Sequence, residues 1–238
     1  MKKLHLTSLI DKYYLKGIGE KVKWTVKDNI ATVKTFSSAK DMVGVVTSPI
    51  ELVDSEFVIF DTSKFIKLVN ICGQFITIEI QSEGKVATKL LVADNEYNLE
   101  YALANLMLAP QVNFTVEEFE SHYSLPITDE FINKWIKAKK ALGSAFCIIE
   151  PKTKDGETRV YFTLGEPDGH SNKITFEEVL GEPCEGTKMQ FNAEYLEAIF
   201  DANYKCEGMM YINNEGAMKL EFKNEDDQRS SYILLAKV

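Results

Sequence analysis

The sequence is poor in the residues that build metal centres and disulfide frameworks. Its 238 residues include 4 cysteines and 3 histidines. No two cysteines have the Cys-x-x-Cys spacing and the histidines lie far apart along the chain, so we expect no zinc site. The few cysteines favour a reducing, cytoplasmic setting over a disulfide scaffold. We therefore expect neither a metal nor a cofactor.

Long apolar runs and recognisable catalytic motifs are missing as well. No stretch approaches the ~18 consecutive apolar residues of a membrane-spanning helix, and polar residues interrupt the first apolar stretch, so neither a membrane segment nor a signal peptide is expected. The sequence contains no Gly-x-Ser-x-Gly and no His-Glu-x-x-His motif. Gly17-Ile18-Gly19 and Ser82-Glu83-Gly84-Lys85 lack the further glycines of nucleotide-binding loops, and we interpret both as turns. We therefore expect that the chain is not an enzyme.

Arginine is scarce and acidic residues are in excess. The chain has 27 basic against 36 acidic residues, a formal net charge of -9, and its only arginines are Arg159 and Arg229. An acidic total argues against nucleic-acid binding by the whole surface, but it leaves room for one basic face. Lysines fall away from the apolar faces of three predicted helices: Lys12, Lys16, Lys64, Lys67, Lys134, Lys137 and Lys140. If these helices share one side, that side attracts phosphate groups without reading base edges.

An internal repeat is the most informative feature of the chain. Residues 60–70 read FDTSKFIKLVN and residues 191–201 read FNAEYLEAIFD. Each segment begins with a phenylalanine. A residue suited to cap a helix follows, Asp61 or Asn192, and a short amphipathic helix comes next. In both halves the predicted order is helix, several strands, helix, three strands. A repeat unit of roughly a hundred residues is too long for a solenoid unit, so the sequence predicts two copies of one α+β domain.

The region between the two copies reads as a linker. We place domain 1 at residues 1–108, the linker at 109–127 and domain 2 at 128–238. The segment 105–127 carries two prolines, an acidic cluster and scattered apolar residues, including Leu106, Met107 and Leu108. These apolar side chains either tie the linker to a sheet or form a groove for a partner peptide, and the sequence leaves both readings open.

The duplicated order of elements resembles that of DNA sliding clamps. The closing segment YILLAK at 232–237 is similar to the last strand of eukaryotic and archaeal clamps, and the hairpin at 159–169 looks like those of clamps from tailed bacteriophages. The resemblance covers most of the chain. It implies an α+β fold of two tandem clamp domains, with two helices packed on antiparallel sheets in each. It also implies a homotrimeric ring with the helices lining the hole.

The resemblance further implies how such a ring works. It encircles double-stranded DNA regardless of sequence and tethers the replicative DNA polymerase for processive synthesis, while an ATP-dependent clamp loader opens it; a phage-encoded clamp acts in the host cytoplasm. The seven helix lysines would face DNA. Partner peptides would enter a groove near the linker and the last strand, for which we select Met42, Leu125, Ile127, Met218 and Leu234. One feature departs from this pattern, because the predicted helix at 192–203 carries Glu194, Glu197 and Asp201.

Two other functions remain open at the level of the sequence. The first is a non-enzymatic phage structural or scaffold protein with a duplicated α+β fold. The second is a small-molecule enzyme with a site between its halves, for which the chain offers no evident set of histidine, cysteine and carboxylate groups. The oligomeric mass separates the first alternative from a clamp, and an interdomain cleft with converging groups would favour the second.

Overall fold

The computed structural model describes residues 1–84, 86–110, 119–165, 172–180, 184 and 186–237. The chain divides into two compact units. Unit 1 comprises Met1–Thr115 and Asn224–Ser230, and unit 2 comprises Val116–Lys223 and Ser231–Val238. A short segment near the C-terminus therefore belongs to the first unit.

Unit 1 packs two helices on antiparallel sheets. Four of its strands lie in the order β4-β1-β2-β3, and three more form a sheet in the order β5-β6-β7. Its elements are α1 (Lys3–Tyr14), β1 (Val22–Lys27), β2 (Ile30–Phe36), β3 (Met42–Pro49), β4 (Ser55–Ile59), α2 (Thr62–Ile71), β5 (Thr77–Glu83), β6 (Val86–Ala93) and β7 (Asn98–Ala102). Single 3₁₀ turns follow α1 at Leu15–Gly17 and β7 at Leu106–Leu108.

Unit 2 repeats this arrangement. Its strands lie in the orders β11-β10-β9-β12 and β15-β14-β13-β8. Its elements are β8 (Tyr123–Ile127), α3 (Asp129–Leu142), β9 (Phe146–Lys154), β10 (Glu157–Leu164), β11 (Ile174–Leu180), β12 (Met189–Asn192), α4 (Ala193–Ala202), β13 (Glu207–Ile212), β14 (Ala217–Lys223) and β15 (Arg229–Leu235), the last of which begins in unit 1. The predicted order of helix, strands, helix and three strands is therefore confirmed in both halves.

Two predicted segments extend beyond the described residues. Residues 111–118 of the predicted linker and 166–169 of the predicted hairpin at 159–169 lie outside the part of the chain that the structure describes. Within the predicted linker, residues 123–127 form strand β8, which pairs antiparallel with β13. This part of the linker is thus a sheet strand.

The repeated helices begin in the same way. The Asp61 side chain accepts a hydrogen bond of 2.7 Å from the Lys64 amide at the start of α2. The Asn192 side chain accepts 2.8 and 3.3 Å bonds from the amides of Glu194 and Tyr195 at the start of α4. These caps satisfy amides that have no partner within the helix. The sequence repeat is therefore a repeat of strand, cap and 10-residue helix.

Aromatic clusters hold the helices of each unit on their sheets. In unit 1, Trp24 of β1 stacks on Phe57 with ring centroids 5.5 Å apart. Tyr13 of α1 packs against the same Trp24 in a T-shaped arrangement, with ring centroids 5.9 Å apart. In unit 2, Phe131 of α3 contacts Phe162 of β10 at 5.1 Å and Phe200 of α4 at 5.8 Å. Such pairs add about 0.5–1.5 kcal/mol beyond the area that they bury. They determine which face of each helix points outwards.

The C-terminal segment of unit 1 is held by a buried glutamine. The Gln228 side chain donates from Nε2 to the His5 carbonyl (2.7 Å) and the Ser48 hydroxyl (3.1 Å), and its Oε1 accepts from the Ser8 hydroxyl (2.7 Å). A buried amide that is fully hydrogen-bonded specifies one arrangement, because any other leaves polar groups unpaired. This explains why Asn224–Ser230 groups with the first unit.

Gly19 provides a stringent test of packing in unit 1. The glycine is buried between α1 and β1, and an added Cβ would lie 2.0 Å from the Tyr13 carbonyl oxygen and 2.5 Å from Thr35 Oγ1. We expect Gly19→Ala to lower the free energy of unfolding by about 3 kcal/mol, because the backbone must shift to admit the methyl group. Urea denaturation followed by tryptophan fluorescence measures this.

Gly143→Ala is the control for that experiment. Gly143 ends α3 with φ +63° and has open space around it, so alanine there costs only the left-handed conformation, about 1 kcal/mol. Equal losses for the two variants would contradict the packing argument for Gly19.

Candidate nucleic-acid interface

Helix α3 places its lysines in three different environments. Phe131, Trp135 and Ala138 are buried and define its inner face. Lys137 and Lys140 are exposed on the opposite side, which we call the α3 crest. Residues three apart on a helix are neighbours, so the two ammonium groups form one cationic patch in unit 2.

The other two lysines of α3, Lys134 and Lys139, lie on opposite flanks of the helix. Lys134 Nζ lies 2.8 Å from Glu178 Oε1 of β11 and 5.6 Å from the centre of the Phe176 ring. Lys139 Nζ lies 3.4 Å from Glu197 Oε2 of α4. The sequence places Lys134 with the crest lysines, whereas in the structure it forms an ion pair beside the sheet. Lys139 is not among the lysines selected from the sequence, although its position four residues after the buried Trp135 indicates a place near the core.

Helix α2 carries the corresponding patch of unit 1. Phe65 and Val69 are buried, whereas Lys64 and Lys67 are exposed. No ion pair joins either ammonium group to a carboxylate among the residues that the structure describes. Both units therefore present a pair of helix lysines spaced three residues apart.

The two lysines predicted on α1 behave differently from each other. Lys16 is exposed and lies in the 3₁₀ turn with φ +57°. Lys12, predicted to lie off the apolar face, is 2% exposed. The physical reason is that Lys12, three residues after the buried Leu9, lies at the margin of the helix face that packs against α2 and β3. Its ammonium group is not part of the exposed lysine patches.

The five residues selected for a partner groove do not lie at the surface. Met42, Leu125, Ile127, Met218 and Leu234 are all 3% exposed or less. All five belong to strands, where alternate residues face opposite sides, and the apolar ones point into the core. Their side chains therefore line no open groove in this structure.

Exposed apolar side chains occur instead on the 3₁₀ turn after β7. Leu106, Met107 and Leu108 are 37%, 89% and 51% exposed, respectively. The turn is anchored by the Asn105 side chain, which accepts a 2.8 Å hydrogen bond from the Met107 amide. The sequence leaves these residues open between a tie to the sheet and a partner surface, and in the structure they are exposed.

Two features of the described residues bear on metal and thiol chemistry. No group of three or more histidine, cysteine, aspartate or glutamate residues in the described ranges is placed to hold a metal ion. Burial raises the pKa of the Cys147 thiol to about 12, so this thiol stays protonated at neutral pH. Among the described helices, none has both the length and the apolar character needed to cross a membrane.

Comparison with known proteins identifies the fold. No protein-family model and no curated protein sequence matches the chain. Solved structures do match, with a TM-score of 0.75 over 100% of this chain: A. fulgidus PCNA bound to the C-terminal region of FEN-1 (14% identity, 97% of that chain) and Thermococcus kodakaraensis PCNA (14%, 98%). The Proliferating Cellular Nuclear Antigen of Entamoeba histolytica matches equally well (TM-score 0.75, 13% identity, 96% of that chain). The chain therefore has the fold of the PCNA sliding clamps along its whole length.

Proposed function

We propose that this protein is a sliding clamp, in which copies of the chain form a homotrimeric ring around duplex DNA and tether the replicative polymerase. The observation that carries the proposal is the clamp fold across the whole chain, combined with an exposed lysine pair on a helix of each unit. Lysine ammonium groups attract the phosphate backbone without reading sequence. Because they are flexible point charges, they do not form the rigid bidentate grips of arginine.

Ring closure has a physical basis in the sheet edges. Strand β7 ends the sheet β5-β6-β7, and β11 ends the sheet β11-β10-β9-β12. Within the described residues no strand pairs with the outer edge of either one, and an uncovered edge is a template for pairing with another chain. We propose that β7 of one copy pairs with β11 of the next. Such a head-to-tail contact repeats until the ring closes.

The exposed 3₁₀ turn is the surface that we propose for partners. The solved A. fulgidus PCNA holds the C-terminal region of FEN-1, and by analogy a short polymerase peptide would bind this chain at Leu106–Leu108. Desolvating an apolar side chain as exposed as Met107 provides affinity at about 25 cal/mol per Å².

An ATP-dependent loader would open the ring, and a phage-encoded clamp would work in the host cytoplasm.

The crest lysines provide the test of DNA contact. We expect Lys137→Glu combined with Lys140→Glu to weaken binding of a fluorescent duplex about tenfold at low salt and to make its salt dependence shallower, because phosphate contacts are lost. Fluorescence anisotropy measures both effects. Sedimentation of the same variant checks that the assembly is unchanged.

Lys27→Glu combined with Lys154→Glu is the matched control. Both residues are exposed at strand ends, Lys27 on β1 and Lys154 on β9, and the charge change is identical. Equal weakening by the two double variants would mean that net charge matters and that the crest does not contact DNA. A monomer that binds no duplex would favour the structural or scaffold protein.

The partner surface is tested by a charge at Met107. We expect Met107→Asp to weaken binding of C-terminal polymerase peptides on an array at least tenfold, because a carboxylate in an apolar contact must be desolvated. Val53→Asp is the control, since Val53 is also exposed in unit 1 (68%) but lies outside the 3₁₀ turn. Unchanged binding by the Met107 variant would exclude this turn as the docking surface.

A further inference from the structure

Acidic residues beside α3 restrict which of its lysines are available to contact a phosphate group. The helix has a crest of exposed lysines, Lys137 and Lys140, and a lysine on each flank. On one flank Glu178 of β11 holds Lys134, and on the other Glu197 of α4 holds Lys139. The two carboxylates therefore neutralise the flanks and leave the crest charged.

The two ion pairs differ in their exposure to solvent. The side chains of Lys139 and Glu197 are 12% and 19% exposed, whereas those of Lys134 and Glu178 are 40% and 31% exposed. Salt screens a partly buried pair much less than an exposed one. A phosphate group that competes for Lys139 must therefore break the pair that salt screens less.

We propose that Glu197 and Glu178 limit the DNA affinity of this protein by withdrawing Lys139 and Lys134 from the cationic face of α3. This inference rests on the proposed clamp function. Each phosphate contact adds about 0.9 to the slope of log K against log salt, so two more lysines per chain would hold the DNA more tightly. A ring that must move along DNA benefits from fewer contacts.

Glu197 is one of the acidic residues by which α4 departs from the clamp pattern. Glu197 lies on α4 and pairs with α3, so its carboxylate is a partner of a lysine of the same unit. Its role is to set the number of available cations on the neighbouring helix. The acidic residue is thus part of the interface, although it repels phosphate itself.

The test compares three carboxylate-to-amide variants of the full-length protein. Glu197→Gln and Glu178→Gln each release a lysine of α3. Glu56→Gln is the matched control, because Glu56 holds Lys23 at 2.7 Å between strands β1 and β4. Binding of a fluorescent duplex is measured by anisotropy between about 50 and 200 mM salt, the range in which phosphate contacts dominate.

We expect Glu197→Gln and Glu178→Gln to tighten duplex binding about threefold or more at the lower salt and to steepen the salt dependence, because contacts are added. Glu56→Gln should change neither beyond the effect of one removed charge. Equal affinities for all three variants would overturn the inference. Weaker binding by a folded Glu197→Gln variant would overturn it as well.

Two further measurements separate the possible failures. In the background of Glu197→Gln, changing Lys139 to Met should return the affinity to that of the wild type; no return would overturn the assignment of Lys139. If the wild type binds duplex and the crest variant binds less, the clamp proposal stands whatever the Gln variants do. If Glu197→Gln fails to fold, the more exposed pair of Glu178 tests the same idea.

Discussion

Each helix of this protein must bury one apolar face against antiparallel sheets, and this requirement determines which charges face outwards. Phe65 and Val69 on α2, and Phe131 and Trp135 on α3, occupy the inner faces. Because residues three or four apart share a face, Lys64 and Lys67 of α2 and Lys137 and Lys140 of α3 are left on the exposed side. The same packing that stabilises each unit thus produces its cationic patch. The caps Asp61 and Asn192 determine where the repeated helices begin.

Much of the fold could be predicted from the sequence because its signals are local. Helix caps and amphipathic periodicity depend only on neighbouring residues, and the internal repeat shows the same local signals twice, so the order of elements followed from them. Lys12 could not be placed in the same way, since its burial depends on elements that pack against the margin of α1. The ion pair between Lys139 and Glu197 joins residues of two helices, so no pattern within α3 predicts its partner.

The groove residues illustrate a different limit. Met42, Leu125, Ile127, Met218 and Leu234 are apolar residues of strands, and alternation along a strand sends such residues inwards. Leu106, Met107 and Leu108 are exposed and lie on a short 3₁₀ turn after β7, where no periodicity distinguishes a core residue from a surface residue. Met107 is therefore recognised as a surface residue only from its exposure in the structure. The sequence shows where the apolar residues are along the chain, but it does not show which of them are exposed to water.

The proposed function requires that copies of the chain join into a ring whose lining carries Lys64, Lys67, Lys137 and Lys140. Cryo-electron microscopy of the purified protein mixed with a linear duplex tests this most directly. We predict a closed ring of three chains, near three times 27.0 kDa in mass, with β7 of one copy beside β11 of the next and DNA within the hole. A particle without a central hole, or a ring with Lys64, Lys67, Lys137 and Lys140 on its outer surface, would contradict the account.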